Sequence, residues 1–210
     1  MDTAVGLAAL IAVLVVSITA HEFMHAWVSW RLGDETARYS GRLSLNPLVH
    51  IDPFTTVLLP IFLYLAGLPV FGAAKPVPFN PQRLRHGDLG AAMVAVAGPL
   101  TNLLLAAFFS LWLRWLPLNT VLGEVMVLFV LVNIGFFVFN LIPFPPLDGS
   151  RLLYALVPES LRALMRQIEN FGLVGIMIFL FLLFPVISPT IGRLIVMIAN
   201  LLLPGFSARF

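Results

Sequence analysis

Hydrophobic and polar positions in this chain alternate on the scale of whole helices rather than of single residues. Uncharged stretches occupy 3–20, 54–74, 89–113, 125–147 and 170–192, with a shorter one at 194–207. Crossing the hydrocarbon core of a bilayer takes roughly 20 such residues in a helix. The pattern therefore predicts an all-α polytopic membrane protein. About five to six transmembrane or re-entrant helices are expected, with a short extended or β segment near the membrane surface.

Local signals refine this. The first helix should run from about Thr3 to Trp30, because His21, Glu22 and His25 are flanked by Phe23, Ala26, Trp27 and Val28. Residues 33–52 read as non-helical, and the partial alternation from Arg38 to Leu45 suggests a short hairpin or extended piece. Asp52-Pro53 has the form of a helix opening, aspartate as N-cap and proline at the first position. Residues 75–87 are too proline-rich for a helix and should be extended. Two regions stay open: 54–74 either spans or dips in and returns, and Pro185 and Pro189 either divide 171–204 into two short helices or do not. No internal repeat is visible. One integral-membrane domain over 1–210 is expected, with a core at 1–155 and C-terminal helices at 156–210.

Composition sharpens the class. Hydrophobic residues make up 60% of the 210 and charged residues 10%, with a mean hydropathy of +1.00; a water-soluble domain of this size has no use for so much apolar surface. The isoelectric point near 9.5 rests on a net charge of only +2. The basic residues are scattered through loops, which argues against a nucleic-acid partner. Cysteine is absent, so disulfides and thiolate ligands are excluded and any metal must be held by nitrogen and oxygen. Met1-Asp2-Thr3 lacks a basic leader region, so the opening segment reads as a retained helix rather than a cleaved signal.

The charges also suggest an orientation. Arg31, Arg38 and Arg42 precede 54–74, and Lys75, Arg83 and Arg85 follow it. A single crossing would put basic loops on both sides, against the positive-inside tendency. A re-entrant dip, which Pro60, Gly67 and Pro69 permit, puts both clusters in the cytoplasm together with Arg151, Arg162 and Arg166. That arrangement is expected, with the N-terminus outside the cell membrane and Arg114 and Arg193 on the outer side.

Chemistry concentrates at His21-Glu22-Phe23-Met24-His25, at the end of the first apolar run. Imidazoles four residues apart share one helix face, their Cβ atoms roughly 6 Å apart, and the spacing is a zinc signature with the glutamate as general base. His21 lies about 27 Å along the helix, inside the membrane but near one face. Ionisable groups at that depth usually mark a functional site. Catalytic zinc takes three protein ligands. His50 and His86 lie in polar loops, so the better third candidate is Asp148, which ends an uncharged run of 23 residues beyond Pro143, Pro145 and Pro146. Asp-Gly after prolines is also ordinary turn chemistry.

His-Glu-x-x-His at 21–25 together with Asn-x-x-Pro-x-x-x-x-Asp-Gly at 140–149 resembles the site-2 proteases, the intramembrane zinc metallopeptidases. Gly98-Pro99-Leu100-Thr101-Asn102 resembles the family's Gly-x-x-x-Asn element. Residues 41–47 and 75–78 resemble its compact prokaryotic branch, without PDZ or CBS domains. The resemblance covers about 10–155. It implies one Zn2+ per chain held by His21, His25 and Asp148, with Glu22 activating the attacking water and Asn140 donating to the developing oxyanion. It implies regulated intramembrane proteolysis, the cutting of transmembrane segments of other membrane proteins in the lipid bilayer, with the site near the cytoplasmic face. The substrate should unwind locally and pair as a strand with 36–46 or 75–80. No feature specifies an oligomeric state.

Plainer roles compete at several positions. Asn102 either serves the site or satisfies carbonyls freed at Pro99, and Asn133 reads as interhelical glue. His50 reads as an interfacial loop residue and His86 as solvated. Trp27, Trp30, Trp112 and Trp115 fit an aromatic belt. A divalent-cation transporter would also place His, Glu and Asp at membrane depth, but the missing inverted repeat argues against it. The intact Glu22 argues against an inactive homologue.

Overall fold

A computed structural model describes residues 3–58, 62 and 74–203. Helix α1 (Thr3–Arg31) is unbroken over 29 residues, because in hydrocarbon every backbone N–H and C=O has to be satisfied within its own segment. Its polar residues form a stripe. Ser17, His21, His25 and Ser29 follow at four-residue intervals, share one face, and are all buried. Val5, Leu7, Ile11 and Val16 remain exposed on the outside, the side that lipid covers.

The stripe packs on α3 (Gly87–Trp112), the central helix, which also contacts α4 (Val121–Asn140) and α5 (Asp148–Leu156). Val94, Gly98, Asn102, Ala106 and Ser110 repeat every four residues and are buried. Such small side chains let helix backbones approach closely where lipid removes the hydrophobic drive between helices. Ala106 and Leu113, with Val130, Ile134 and Val138 of α4 and Ile191 and Ala199 of α8 (Phe184–Leu202), make the main apolar core. Between α5 and α8 come the amphipathic α6 (Glu159–Asn170) and the short α7 (Leu173–Ile178). Four of the described helices are long and apolar enough to cross a membrane, over Ala4–Arg31, Gly87–Trp112, Val121–Asn140 and Val174–Leu202. The protein is a multi-pass membrane protein.

Several expectations are modified. The prolines do not split the last span: Phe179–Leu183 forms a π-helical turn joining α7 to α8, and Pro185 falls in the first turn of α8, where its missing N–H is harmless. No strand occurs among the described residues. In place of a hairpin near 38–45 the chain makes α2 (Thr36–Tyr39), supported by Glu35 accepting from Arg38 (3.0 Å) and from the Tyr39 hydroxyl (2.7 Å). Asp52 does cap the turn at Pro53–Leu58, accepting from the N–H groups of Phe54 (2.9 Å) and Thr55 (2.8 Å). Most of 54–74, whose path was open, lies outside the described residues. His50 is not an interfacial side chain: it is buried, with Nε2 at 2.8 Å from the Ser44 carbonyl. Residues 74–80 run without helix or partner strand, tied down where Lys75 N–H meets the His50 carbonyl (2.9 Å).

A second tie involves Asp34, which is fully buried after the left-handed turn at Gly33 (φ 102°). Its Oδ1 accepts from the Thr36 N–H (3.1 Å) and hydroxyl (2.5 Å), and its Oδ2 from the Ser29 hydroxyl (3.2 Å) and the Asn80 N–H (2.6 Å). One carboxylate thus joins the end of α1, the start of α2 and the extended segment. Burial alone would raise the Asp34 carboxyl, but the donors from Thr36, Asn80 and Ser29 outweigh it and hold the group below the usual carboxylate range. A depressed folded-state pKa gives stability that is complete above the unfolded value of about 3.9 and vanishes as pH falls through the folded value. Asp34→Asn, which turns an NH2 toward one pair of donors, should cost about 1–3 kcal/mol at neutral pH. Unfolding in detergent followed across pH should show this gap narrowing below about pH 4; a gap independent of pH would contradict the assignment.

Candidate metal centre

The stripe on α1 brings the two imidazoles together. The rings meet edge to face, centroids 4.6 Å apart at 83°, with the two Nε2 atoms separated by 2.9 Å. The other ring nitrogens decide what those Nε2 atoms are. His25 Nδ1 lies 2.8 Å from the Val94 carbonyl, which can only accept, so Nδ1 carries a proton and, in the neutral imidazole, Nε2 keeps the lone pair. His21 Nδ1 lies 2.6 Å from Asn102 Oδ1, with the same consequence. Both lone pairs point at one spot.

Asp148 closes the spot from the far end of the sequence. Pro143, Pro145 and Pro146 prevent α4 from continuing, and the chain turns through Phe144 N–H to Ile142 O (2.8 Å) and Leu147 N–H to Phe144 O (2.9 Å). α5 then starts hard against the end of α4. A Cβ on Gly149 would lie 2.6 Å from the Ile142 carbonyl oxygen, closer than real Cβ atoms pack, so the Asp-Gly pair is a steric requirement here. This delivers Asp148 Oδ2 to 3.1 Å from His21 Nε2 and 3.3 Å from His25 Nε2.

The three ligand atoms lie within 4.8 Å of one another. Tetrahedral zinc with bonds of about 2.0–2.1 Å spaces its ligands roughly 3.3 Å apart, so the set fits with adjustments of a few tenths of an ångström. Two neutral imidazole lone pairs facing at 2.9 Å repel unless a cation lies between them. Each Nδ1–H is held by an oxygen acceptor, the usual support for metal-binding histidine. Nitrogen and oxygen donors of this kind suit zinc.

Glu22, buried beside the pair, faces a cavity of about 330 Å³ shared with His25, Asp148, Val77, Phe79, Pro146 and Arg151. Asn140 stands apart. Its Nδ2 donates to the Phe136 carbonyl one turn earlier (3.0 Å), and among the described residues no hydrogen bond joins it to the cluster. The amide that does touch a ligand is Asn102, and it does not serve carbonyls freed at Pro99. Its Nδ2 donates to Asn133 Oδ1 (2.8 Å) and, more weakly, to the Ser17 carbonyl (3.3 Å). The periodic signal was present in the sequence, since Ser17 leads the stripe that His21 and His25 continue. His50 and His86 take no part: the first is bonded to Ser44, and the second, exposed with φ 71°, precedes α3.

A sequence model of peptidase family M50 matches residues 118–184. The "Putative zinc metalloprotease YwhC" of Bacillus subtilis (strain 168) is 40% identical over 174 residues, covering 79% of this chain and 76% of that protein. The chain belongs to peptidase family M50. Another member, the "Putative zinc metalloprotease Rip2" of Mycobacterium tuberculosis (strain ATCC 25618 / H37Rv), is 35% identical over 188 residues, 87% of this chain and 68% of that protein. The regulator of sigma-E protease RseP of Salmonella typhimurium (strain 14028s / SGSC 2262) is 30% identical over 129 residues, 57% of this chain but only 28% of that larger protein. No solved structure gives a significant match. Gly98, four residues before Asn102, has a physical basis at the histidine contact. A Cβ on Gly98 would fall 2.6 Å from His25 Cε1 and 2.7 Å from His21 Nε2, inside the space between the ligands.

Gly98→Ala is therefore a direct probe. By helix propensity alone it should help α3 by up to about 1 kcal/mol, yet it should abolish stoichiometric zinc. Metal analysis and circular dichroism on the same sample check this. Full zinc content in a helical variant would mean that the ligands meet elsewhere.

Proposed function

We propose that His21, His25 and Asp148 hold the zinc and that Glu22 is the general base of peptide hydrolysis. The protein is an intramembrane zinc metalloprotease that cleaves peptide bonds within transmembrane segments, the chemistry of regulated intramembrane proteolysis. The observation that carries the residue assignment is the convergence of two Nε2 lone pairs and one carboxylate oxygen within 4.8 Å, with Glu22 facing the same cavity.

Zinc, when bound, supplies acidity to a water and polarises a carbonyl. The remaining steps belong to the chain. Glu22 takes one proton from the attacking water and returns it to the leaving amine as the C–N bond breaks. Burial of Glu22 and the histidines keeps bulk water from competing with these transfers. Asn140 offers its second N–H, the one not engaged with Phe136, to the developing oxyanion.

The cavity wall supports an extended substrate. Pro76 and Pro78 remove donors from one edge of residues 74–80, whereas Val77 and Phe79 keep theirs on the other. A transmembrane segment that unwinds locally pairs with that second edge. Membrane orientation follows the basic residues. Arg31, Arg38, Arg42, Lys75, Arg83 and Arg85 follow α1, and Arg85 N–H bonds to the Leu32 carbonyl while Arg162 pairs with Asp88 at the start of α3; this basic character supports a cytoplasmic position for the α1 C-terminal end and the site. The 210 residues act as one protease domain with its core in 1–155.

Glu22→Gln should keep zinc while cleavage of a model transmembrane substrate in liposomes falls by at least about 100-fold. His21→Ala, His25→Ala and Asp148→Ala should each lose stoichiometric metal. Cleavage surviving in Glu22→Gln would remove it as the base, and metal flux into the liposomes would point to a transporter. Proline substitutions along the substrate segment should abolish cutting where they remove a paired N–H; indifference to all of them would exclude strand pairing.

A further inference from the structure

Asn133 lies outside every motif described above, on α4, yet it is fully buried and is bonded to Asn102, the residue that touches His21. Its Nδ2 donates to the Phe129 carbonyl and to the Ser17 hydroxyl, both at 2.8 Å. A backbone carbonyl only accepts, so the Asn133 amide has one permitted orientation: NH2 toward Phe129, Oδ1 away from it. That Oδ1 accepts from Asn102 Nδ2 at 2.8 Å, which in turn orients the Asn102 amide. Asn102 Oδ1 is then left facing His21 Nδ1 at 2.6 Å.

We propose that Asn133 is a positioning residue that selects the metal-binding tautomer of His21 through the Asn102 amide. Turn the Asn133 amide over and its NH2 meets the Asn102 NH2, so Asn102 has to turn as well and brings an NH2 to His21 Nδ1. The imidazole proton then belongs on Nε2, where it blocks the ligand lone pair. Ser17, Asn102 and Asn133 are all fully buried, so no bulk water substitutes for a missing acceptor. The Ser17 carbonyl at 3.3 Å from Asn102 Nδ2 is the longer of that group's two acceptors, which leaves Asn133 as the principal one. The histidines are served differently: His25 uses a carbonyl that cannot turn over, whereas His21 depends on two side-chain amides that can.

A purely adhesive role, helix glue of the kind polar residues commonly provide in membranes, makes a different forecast. Glue alters stability but not the tautomer of one ring. It is also indifferent to which acceptor stands at 102, whereas a carboxylate there presents oxygen in either orientation and makes the 133 amide unnecessary for His21. The inference rests on His21 being a metal ligand, so the readouts are separated.

Nitrogen-15 NMR of metal-free, histidine-labelled protein reads the tautomer, with His21 identified among the four histidines by its loss in His21→Ala. Wild type should show His21 protonated at Nδ1 alone. Asn133→Leu should add the Nε2–H form and weaken zinc binding about 10- to 100-fold in a chelator competition. Adding Asn102→Asp to that variant should restore both the single tautomer and the affinity. Asn133→Ala is measured alongside, against poor folding of the leucine variant. An unchanged tautomer and zinc affinity in the folded variant, or no recovery on adding Asn102→Asp, overturns the proposal. Zinc retained by His21→Ala would instead refute the ligand assignment while leaving the tautomer result standing.

Discussion

Two imidazole protons, each fixed on Nδ1 by an oxygen that water cannot replace, govern this molecule. With both protons committed, both Nε2 lone pairs face one point at 2.9 Å, an arrangement that is repulsive unless a cation answers it. The surrounding structure can be read as what is needed to impose that arrangement at membrane depth. α1 supplies the pair on one face, α3 supplies Val94 and Asn102 as acceptors, and the turn after α4 supplies Asp148. Two helices and one irregular turn meet because a few groups from each are required within a few ångströms.

Close approach is the second constraint. α3 reaches the histidines only because Gly98 has no side chain to intrude, and α5 reaches the end of α4 only because Gly149 has none. Glycine is a poor helix former, so its presence at these two contacts reflects steric exclusion. The same logic separates the two histidine supports. A backbone carbonyl is fixed by the helix that contains it, whereas a side-chain amide needs its own orientation secured.

Much of this was legible in the sequence, and the failures have physical causes. The spacing of His21 and His25 and the placement of Asp148 after a proline-rich helix end singled out three side chains whose ligand-type atoms lie within 4.8 Å of one another, because both signals are local. The cap at Asp52 was equally readable, since it accepts from the turn that follows it. The hairpin near 38–45 failed because Glu35 bonds to Arg38 and Tyr39 at helical spacing, which outweighs a weak alternation. The question left open at Pro185 and Pro189 resolves with both inside the last span: Pro185 falls in the first turn of α8, and the Pro185 carbonyl that Pro189 cannot serve accepts from the Ser188 hydroxyl at 3.2 Å. The depth of His50 depends on contacts with Ser44 and Lys75, and the Asn102–Asn133 link joins residues 31 apart on two helices. Neither relation leaves a mark in local spacing.

The Asp34 latch has a mechanical meaning. At 29 residues, α1 is about 43 Å long against a hydrocarbon core of about 30 Å, so its tilt responds to bilayer thickness. Asp34 fastens the Asn80 backbone to the end of this same helix, so the cleft wall at Val77 and Phe79 rides with the histidines when α1 leans. Floor and wall hang from one element, so whatever inclines that element carries both.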